Sequence, residues 1–107
     1  MGGDVALPVL TPQQRADALA KATEARRRRG QALARVKDGG LSMAGFFQLA
    51  ETGLVLARTR TSLVLRALTG VGAVTAARIL ADVQIAENRT TGGLGPRQRE
   101  ALLAVLA

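Results

Sequence analysis

The stretch from Ser62 to Leu80 constrains the fold most. An apolar run of helix formers, Ser62-Leu63-Val64-Leu65-Arg66-Ala67-Leu68, halts at Thr69-Gly70, and a second helical run starts right after Gly72. Gly70-Val71-Gly72 is therefore read as a tight hairpin between two helices. Glycines allow positive φ and close backbone approach to a ligand, which a Cβ resists. Val71 between them is expected to plug inward and hold the helices together. The backbone amides of Ala73, Val74 and Thr75 then open the second helix. They point outward as free donors, with the positive end of the macrodipole behind them. Such a helix start is a ready anion site.

The net charge makes nucleic-acid phosphate the expected anion. It is +7, and 13 of the 15 basic residues are Arg. Arg binds phosphate in a bidentate manner that Lys cannot. The hydrophobic fraction is 48%, mostly Ala, Leu and Val, and the only aromatics are Phe46 and Phe47. Ala, Leu and Arg favour helix, and no period-2 strand pattern appears. An all-α fold follows, with a small-sided core and a long N-terminal helix beside a compact helical body. The chain contains no Cys and no His. Disulfides, thiol catalysis and the usual general base and metal ligands are excluded, so neither a cofactor nor a metal is expected. No apolar run reaches the ~18 residues of a membrane span, and no signal-peptide pattern opens the chain. The expected compartment is the cytoplasm.

Three segments are expected. Residues 1–10 read as a loose arm that Leu7, Val9 and Leu10 could tack onto the core. Residues 11–38 read as a long basic helix. Thr11 is its N-cap, Pro12 its first residue and Gln14 the partner of a capping box; Asp38-Gly39-Gly40 stops it. Leu19 is its only large apolar residue before Leu33, so part of it should protrude, and Gly30 is a possible kink. Arg26, Arg27, Arg28 and Arg29 lie inside it. Consecutive helical residues point about 100° apart, so this run is a collar rather than a stripe. Like charges this close destabilise a bare helix, and a phosphate partner would remove that cost.

Residues 41–107 read as the compact domain. Ser42 caps a helix in which Phe46, Phe47 and Leu49 anchor the core and which ends near Thr52-Gly53. Leu54–Ala57 suggests about two further turns. Thr61 or Ser62 is a candidate cap for the hairpin's first helix. Arg58 and Arg60 could pair with Glu51 or Asp82, or could bind phosphate; the residues leave both open. Arg78 lies one turn into the helix after the hairpin, within reach of the phosphate its amides would hold. Ile85 is a buried peg, and Asn88, Gly92, Gly93 and Gly95 suggest two successive turns that carry Arg89. Pro96 opens the last helix, with Arg97 and Arg99 in its first turn. Positive charge there opposes the macrodipole, and an anion bound at Gly93, Gly95, Arg97 and Arg99 would account for it.

Helix, Gly-Val-Gly, helix, two turns, helix resembles the helix-two-turns-helix module of a small-subunit ribosomal protein and of formamidopyrimidine-type DNA glycosylases. The chain is most similar to the actinobacterial, mycobacterial-type integration host factor family. The residues that carry this are Val5-Ala6-Leu7-Pro8, Leu10-Thr11, Gln14-Arg15, Ala25-Arg26-Arg27 and Gly39-Gly40. Further on come Val71-Gly72, Val74, Ala76, Ile79, Ile85-Ala86, Gly93-Leu94-Gly95, Arg97-Gln98-Arg99 and Ala101-Leu102-Leu103. The resemblance implies a nucleoid-associated, double-stranded DNA-binding protein that bends or organises DNA and assists phage integration. Its partners would be duplex DNA and a phage integrase or recombination complex, and a monomer is expected in solution. This chain has Ala73 and Thr75 where the family tends to carry lysines, and Thr90-Thr91-Gly92 where it tends to be more basic. An enzyme is not expected. Met1-Gly2-Gly3 lacks the N-terminal proline that a glycosylase with this module uses, and the acidic residues form no close pair. Binding to RNA or to the ribosome is the alternative reading, and an adaptor for an acidic protein is a third. Duplex DNA and duplex RNA compared at matched salt separate the first two.

Overall fold

The computed structural model describes residues 9–107. Six α-helices follow in order: α1 (Pro12–Lys37), α2 (Met43–Thr52), α3 (Leu54–Ala57), α4 (Thr61–Ala67), α5 (Ala73–Asp82) and α6 (Pro96–Leu106), with a 3₁₀ turn at Thr91–Gly93 before α6. No strand occurs among the described residues; a lone antiparallel bridge joins Arg60 to Thr90. The arm expected over 1–10 lies outside the described residues except for Val9 and Leu10. Those two are exposed, Val9 at 88%, so neither is tacked onto the core.

Local chemistry sets the helix starts. The Gln14 amide donates to Thr11 Oγ1 at 3.1 Å and the Thr11 amide to Gln14 Oε1 at 2.9 Å, the reciprocal box expected there. The Ser42 hydroxyl accepts from the Gly45 amide at 3.0 Å and starts α2. Residues 12–23 of α1 are all exposed, because Leu19 is the only large apolar side chain that half offers. At ~1.5 Å per residue α1 is about 39 Å long, which gives the molecule its 56 × 31 × 25 Å shape. Its other half buries Ala32 and Val36 and packs against α2, α3 and α4. Gly30 lies inside one continuous helix.

The core joins Ala32 and Val36 to Met43, Phe46 and Phe47 of α2, Val64 and Leu65 of α4, Ala76 and Leu80 of α5, then Ile85, Leu94 and Leu102. Leu49 does not anchor it as expected. α2 buries Met43, Phe46, Phe47 and Ala50, spaced i, i+3, i+4, i+7, and Leu49 falls beside that stripe, 43% exposed. α3 is one turn rather than two. Neither Thr61 nor Ser62 caps α4. Arg60 is the N-cap, without a side-chain bond, and the Thr61 amide donates to the Arg89 carbonyl at 3.0 Å.

The connection from α5 to Ile85 uses a Schellman stop with an unusual residue. Gln84 takes φ 58°, the only positive φ among the described non-glycine residues. The Ile85 amide donates to the Leu80 carbonyl at 2.8 Å and the Gln84 amide to that of Ala81 at 3.1 Å, the two bonds that define this motif. Ile85 is thereby driven into the core. The following turn is stitched to α3: the Thr91 hydroxyl donates to the Leu56 carbonyl at 2.6 Å, and the Thr91 amide to the Thr59 carbonyl at 2.9 Å. Thr91 is fully buried, and a Cβ on Gly92 would lie 2.7 Å from the Ala57 Cβ. In this chain, packing against α3 thus leaves little room for a larger side chain at 91 or 92.

Candidate nucleic-acid interface

The hairpin is a β-turn over Leu68–Val71, closed by the Val71 amide donating to the Leu68 carbonyl at 3.1 Å. Gly70 takes φ 83° at the third position, where a type II turn needs a left-handed residue. Gly72 does not share this role. It is the extended N-cap of α5, at φ −93° and ψ −174°, a conformation open to any residue. Val71 is half-buried and packs on the core, as expected. The Thr69 hydroxyl donates to the Lys37 carbonyl at 3.3 Å, tying the turn to the end of α1.

The start of α5 carries no side-chain cap. Among the described residues no acceptor takes the amides of Ala73, Val74 and Thr75, and the first α5 bond runs from Ala76 to the Gly72 carbonyl at 2.9 Å. Gly72, Ala73, Val74 and Thr75 are exposed, and a Cβ on Gly72 would meet nothing within 4 Å. Donors and macrodipole thus face open space. Lys37 and Arg66 line the depression beside Thr69 and Gly72. Arg78 is exposed one turn further on.

The two arginines that open α6 differ. Arg97 is exposed. Arg99, expected to be equally free, is not: its side chain is 24% exposed, its Nη1 donates to Glu51 Oε1 at 3.2 Å, and its guanidinium lies 5.5 Å from the Phe47 ring centroid. It fastens α6 to α2. The Gly95 amide is also occupied, donating to Gln98 Oε1 at 3.0 Å. Gly93 is exposed and Gly95 half-buried, so this helix start is a weaker anion site than that of α5. Arg89 is exposed.

The collar is divided among partners. Arg27 donates to both Glu24 oxygens and Arg28 to Glu24 Oε2 at 3.0 Å. Hydrogen bonds from Arg27 and then Arg28 lower the Glu24 carboxyl to about 2, and Glu24 in turn raises Arg27. Arg26 donates to Thr23 Oγ1 at 3.3 Å. Arg29 instead faces a depression that it shares with Arg58, Arg60 and Arg66. The pairing of Arg58 or Arg60 with Glu51 or Asp82 does not form; Glu51 is taken by Arg99. Arg66 and Lys37 were not singled out from the sequence as site residues. Arg66 lies one turn after Ser62, and that spacing was the available signal. Among the described residues no group of three His, Cys, Asp or Glu could hold a metal, and no helix is long and apolar enough to cross a membrane.

Known proteins resemble this chain in sequence and in fold. The model of the S13-like H2TH domain matches residues 36–106. Integration host factors of Mycolicibacterium smegmatis and Mycobacterium tuberculosis are each 46% identical over 99 residues, 92% of this chain and 94% of each relative. The integration host factor of Streptomyces coelicolor is 40% identical over 98 residues, 92% of both chains. A solved structure of sIHF bound to an 8-base-pair palindromic DNA superposes with a TM-score of 0.80 at 32% identity, covering 82% of this chain and 99% of that one. The sequence identity along nearly the whole chain, the shared fold and the matched domain together show that the chain belongs to the actinobacterial integration host factor family.

Proposed function

We propose that this chain is a nucleoid-associated protein that binds double-stranded DNA through backbone phosphates and bends or organises it. The observation that carries this reading is the uncapped, exposed start of α5 behind the Gly70 turn, flanked by Lys37 and Arg66. A sIHF structure was solved with DNA, which supports the same ligand here. Gly70, Val71 and Gly72 shape the turn, the amides of Ala73, Val74 and Thr75 donate to one phosphate, and Arg78 reaches the same group. A second phosphate sits near Gly93, Gly95 and Arg97, with Arg89 alongside. The collar residues Arg26–Arg29 add screened attraction from the long helix, and 41–107 act as the binding domain.

Contacts of this kind fix register and carry no base information. Sequence preference is then weak and follows DNA deformability. The role is architectural rather than catalytic. A monomer that holds DNA bent suits a phage integrase or another recombination complex as partner. The test is duplex affinity across a salt series, with duplex RNA alongside. If about four to six phosphates are neutralised, log affinity falls against log salt with a slope of about −4 to −5. A slope shallower than about −1 refutes phosphate clamping, and equal or tighter binding to RNA refutes DNA as the ligand.

A further inference from the structure

Arg29, Arg58, Arg60 and Arg66 surround one depression of about 340 Å³ whose remaining lining is Thr59, Ser62 and Leu63. No carboxylate lines it, and none of the four guanidinium groups is in an ion pair among the described residues, where the only pairs are those of Arg27, Arg28 and Arg99. The side chains come from three separate segments: α1, the α3–α4 connection and α4. The fold therefore gathers like charges that local sequence would have kept apart. Mutual repulsion of this kind is relieved by an anion. Arg66 also lines the hairpin depression, and with Arg60, Ser62, Asn88 and one carboxylate, Glu87, a third hollow beside α5. The hairpin depression and the trough, neither lined by a carboxylate, share Arg66, which is their junction.

We propose that this trough is a further phosphate site, beyond those at the starts of α5 and α6, and that it extends the hairpin's grip along the same duplex. The proposal rests on the DNA-binding reading above. Distance decides for one duplex over two. Lys37 marks the hairpin end of α1 and Arg29 the trough end, eight residues apart, which at ~1.5 Å per residue is about 12 Å. Two duplexes each carry a charge every ~1.7 Å. Phosphates of separate duplexes held ~12 Å apart sit near one Debye length, where they still repel. Phosphates about two nucleotides apart on one strand span a similar distance, and their repulsion is already part of the duplex. Arg66 then bridges the phosphate at the α5 amides and the phosphate in the trough.

The experiment compares wild type, Arg60→Ala/Arg66→Ala, Arg66→Lys and Arg15→Ala on a ~20-base-pair duplex across salt, with two-colour energy transfer between differently labelled duplexes. Arg15 is an exposed control on the protruding half of α1. The double variant should keep its melting temperature, because Arg60 and Arg66 are exposed, and lose nearly two units of salt slope. Arg66→Lys should regain most of its share, and Arg15→Ala should match wild type. Transfer between duplexes should stay at background. A double variant with the wild-type slope overturns the trough while leaving the hairpin reading intact. Transfer between duplexes that the double variant abolishes assigns the trough to a second duplex and overturns the proposal. Failure of wild type to bind any duplex strikes the DNA-binding reading instead.

Discussion

Replacing Arg99 by Ala should cost stability and leave DNA binding nearly untouched, the reverse of what its place in the first turn of α6 suggests. Three terms set the size. The Glu51 carboxylate is 61% exposed, so the ion pair is screened and contributes about 0.5 kcal/mol. The guanidinium 5.5 Å from the Phe47 centroid contributes about 0.5–1 kcal/mol. The stem methylenes cover apolar surface between α2 and α6, at about 0.8 kcal/mol for each methylene fully buried. Against these, Arg99 Nε is buried without a partner among the described residues, and removing it relieves roughly 1 kcal/mol. A net loss of about 1–2 kcal/mol remains, or a fall of roughly 4–15 °C in Tm for a domain of this size. Calorimetry reads the fall, and anisotropy on a duplex across salt reads the slope. Glu51→Gln removes only the ion pair and should cost less than half as much. The reasoning is refuted if Arg99→Ala melts within a degree or so of wild type and flattens the salt slope by ~0.9. Arg99 would then leave Phe47 for a phosphate.

Three other expectations follow from the same geometry. Gly92→Ala puts a Cβ 2.7 Å from that of Ala57 and 3.0 Å from its carbonyl oxygen; overpacking against backbone costs about 1–3 kcal/mol, and an unchanged denaturation midpoint contradicts it. Gly72→Val should fold normally, since its φ is extended and its Cβ meets open space, yet should weaken duplex binding by filling the approach to the α5 amides. Ala73→Lys, with its turn glycines intact, should steepen the salt slope by nearly one unit; if both variants bind as wild type, the hairpin does not face DNA. The Glu24 carboxyl, lowered to about 2 by Arg27 and Arg28, supports α1 fully above its unfolded value near ~4.3, and this support fades as pH falls from there through about 2. Carbon-detected NMR titration of Glu24 reads the midpoint, and an ordinary value would show that the pairs do not form in solution.

What the sequence reveals and hides divides by range. The helix starts at Thr11, Ser42 and Gly95-Pro96 are settled within four residues of themselves, so Thr11-Pro12-Gln13-Gln14 is as plain in the sequence as in the structure. The Gly70 turn is equally local, although only one of its glycines needs the left-handed region. Leu49 misleads because its residue type suits a core while its period does not: the stripe Met43, Phe46, Phe47, Ala50 is complete without it. Gln84 carries no local signal for its positive φ, which is held by the core's demand for Ile85 rather than by its own preference. Arg99 and Thr91 could not be placed, since their partners Glu51 and Leu56 lie 48 and 35 residues away.

The arginine run shows how range and function connect. Four consecutive arginines on a helix cannot all face one ligand, because each step turns about 100°. The fold gives them different surroundings. Glu24 neutralises Arg27 and Arg28 at i+3 and i+4, the spacing at which helical pairs meet. Arg26 turns back to Thr23. Arg29 alone among them joins Arg58, Arg60 and Arg66 in the trough, and it does so because Ala32 and Val36, one and two turns on, bury that side of α1. The apolar stripe of α1 thus decides which arginine reaches the basic track. A substitution such as Ala32→Glu, remote from any phosphate, should disturb DNA binding by turning Arg29 out of the trough as well as by damaging the core.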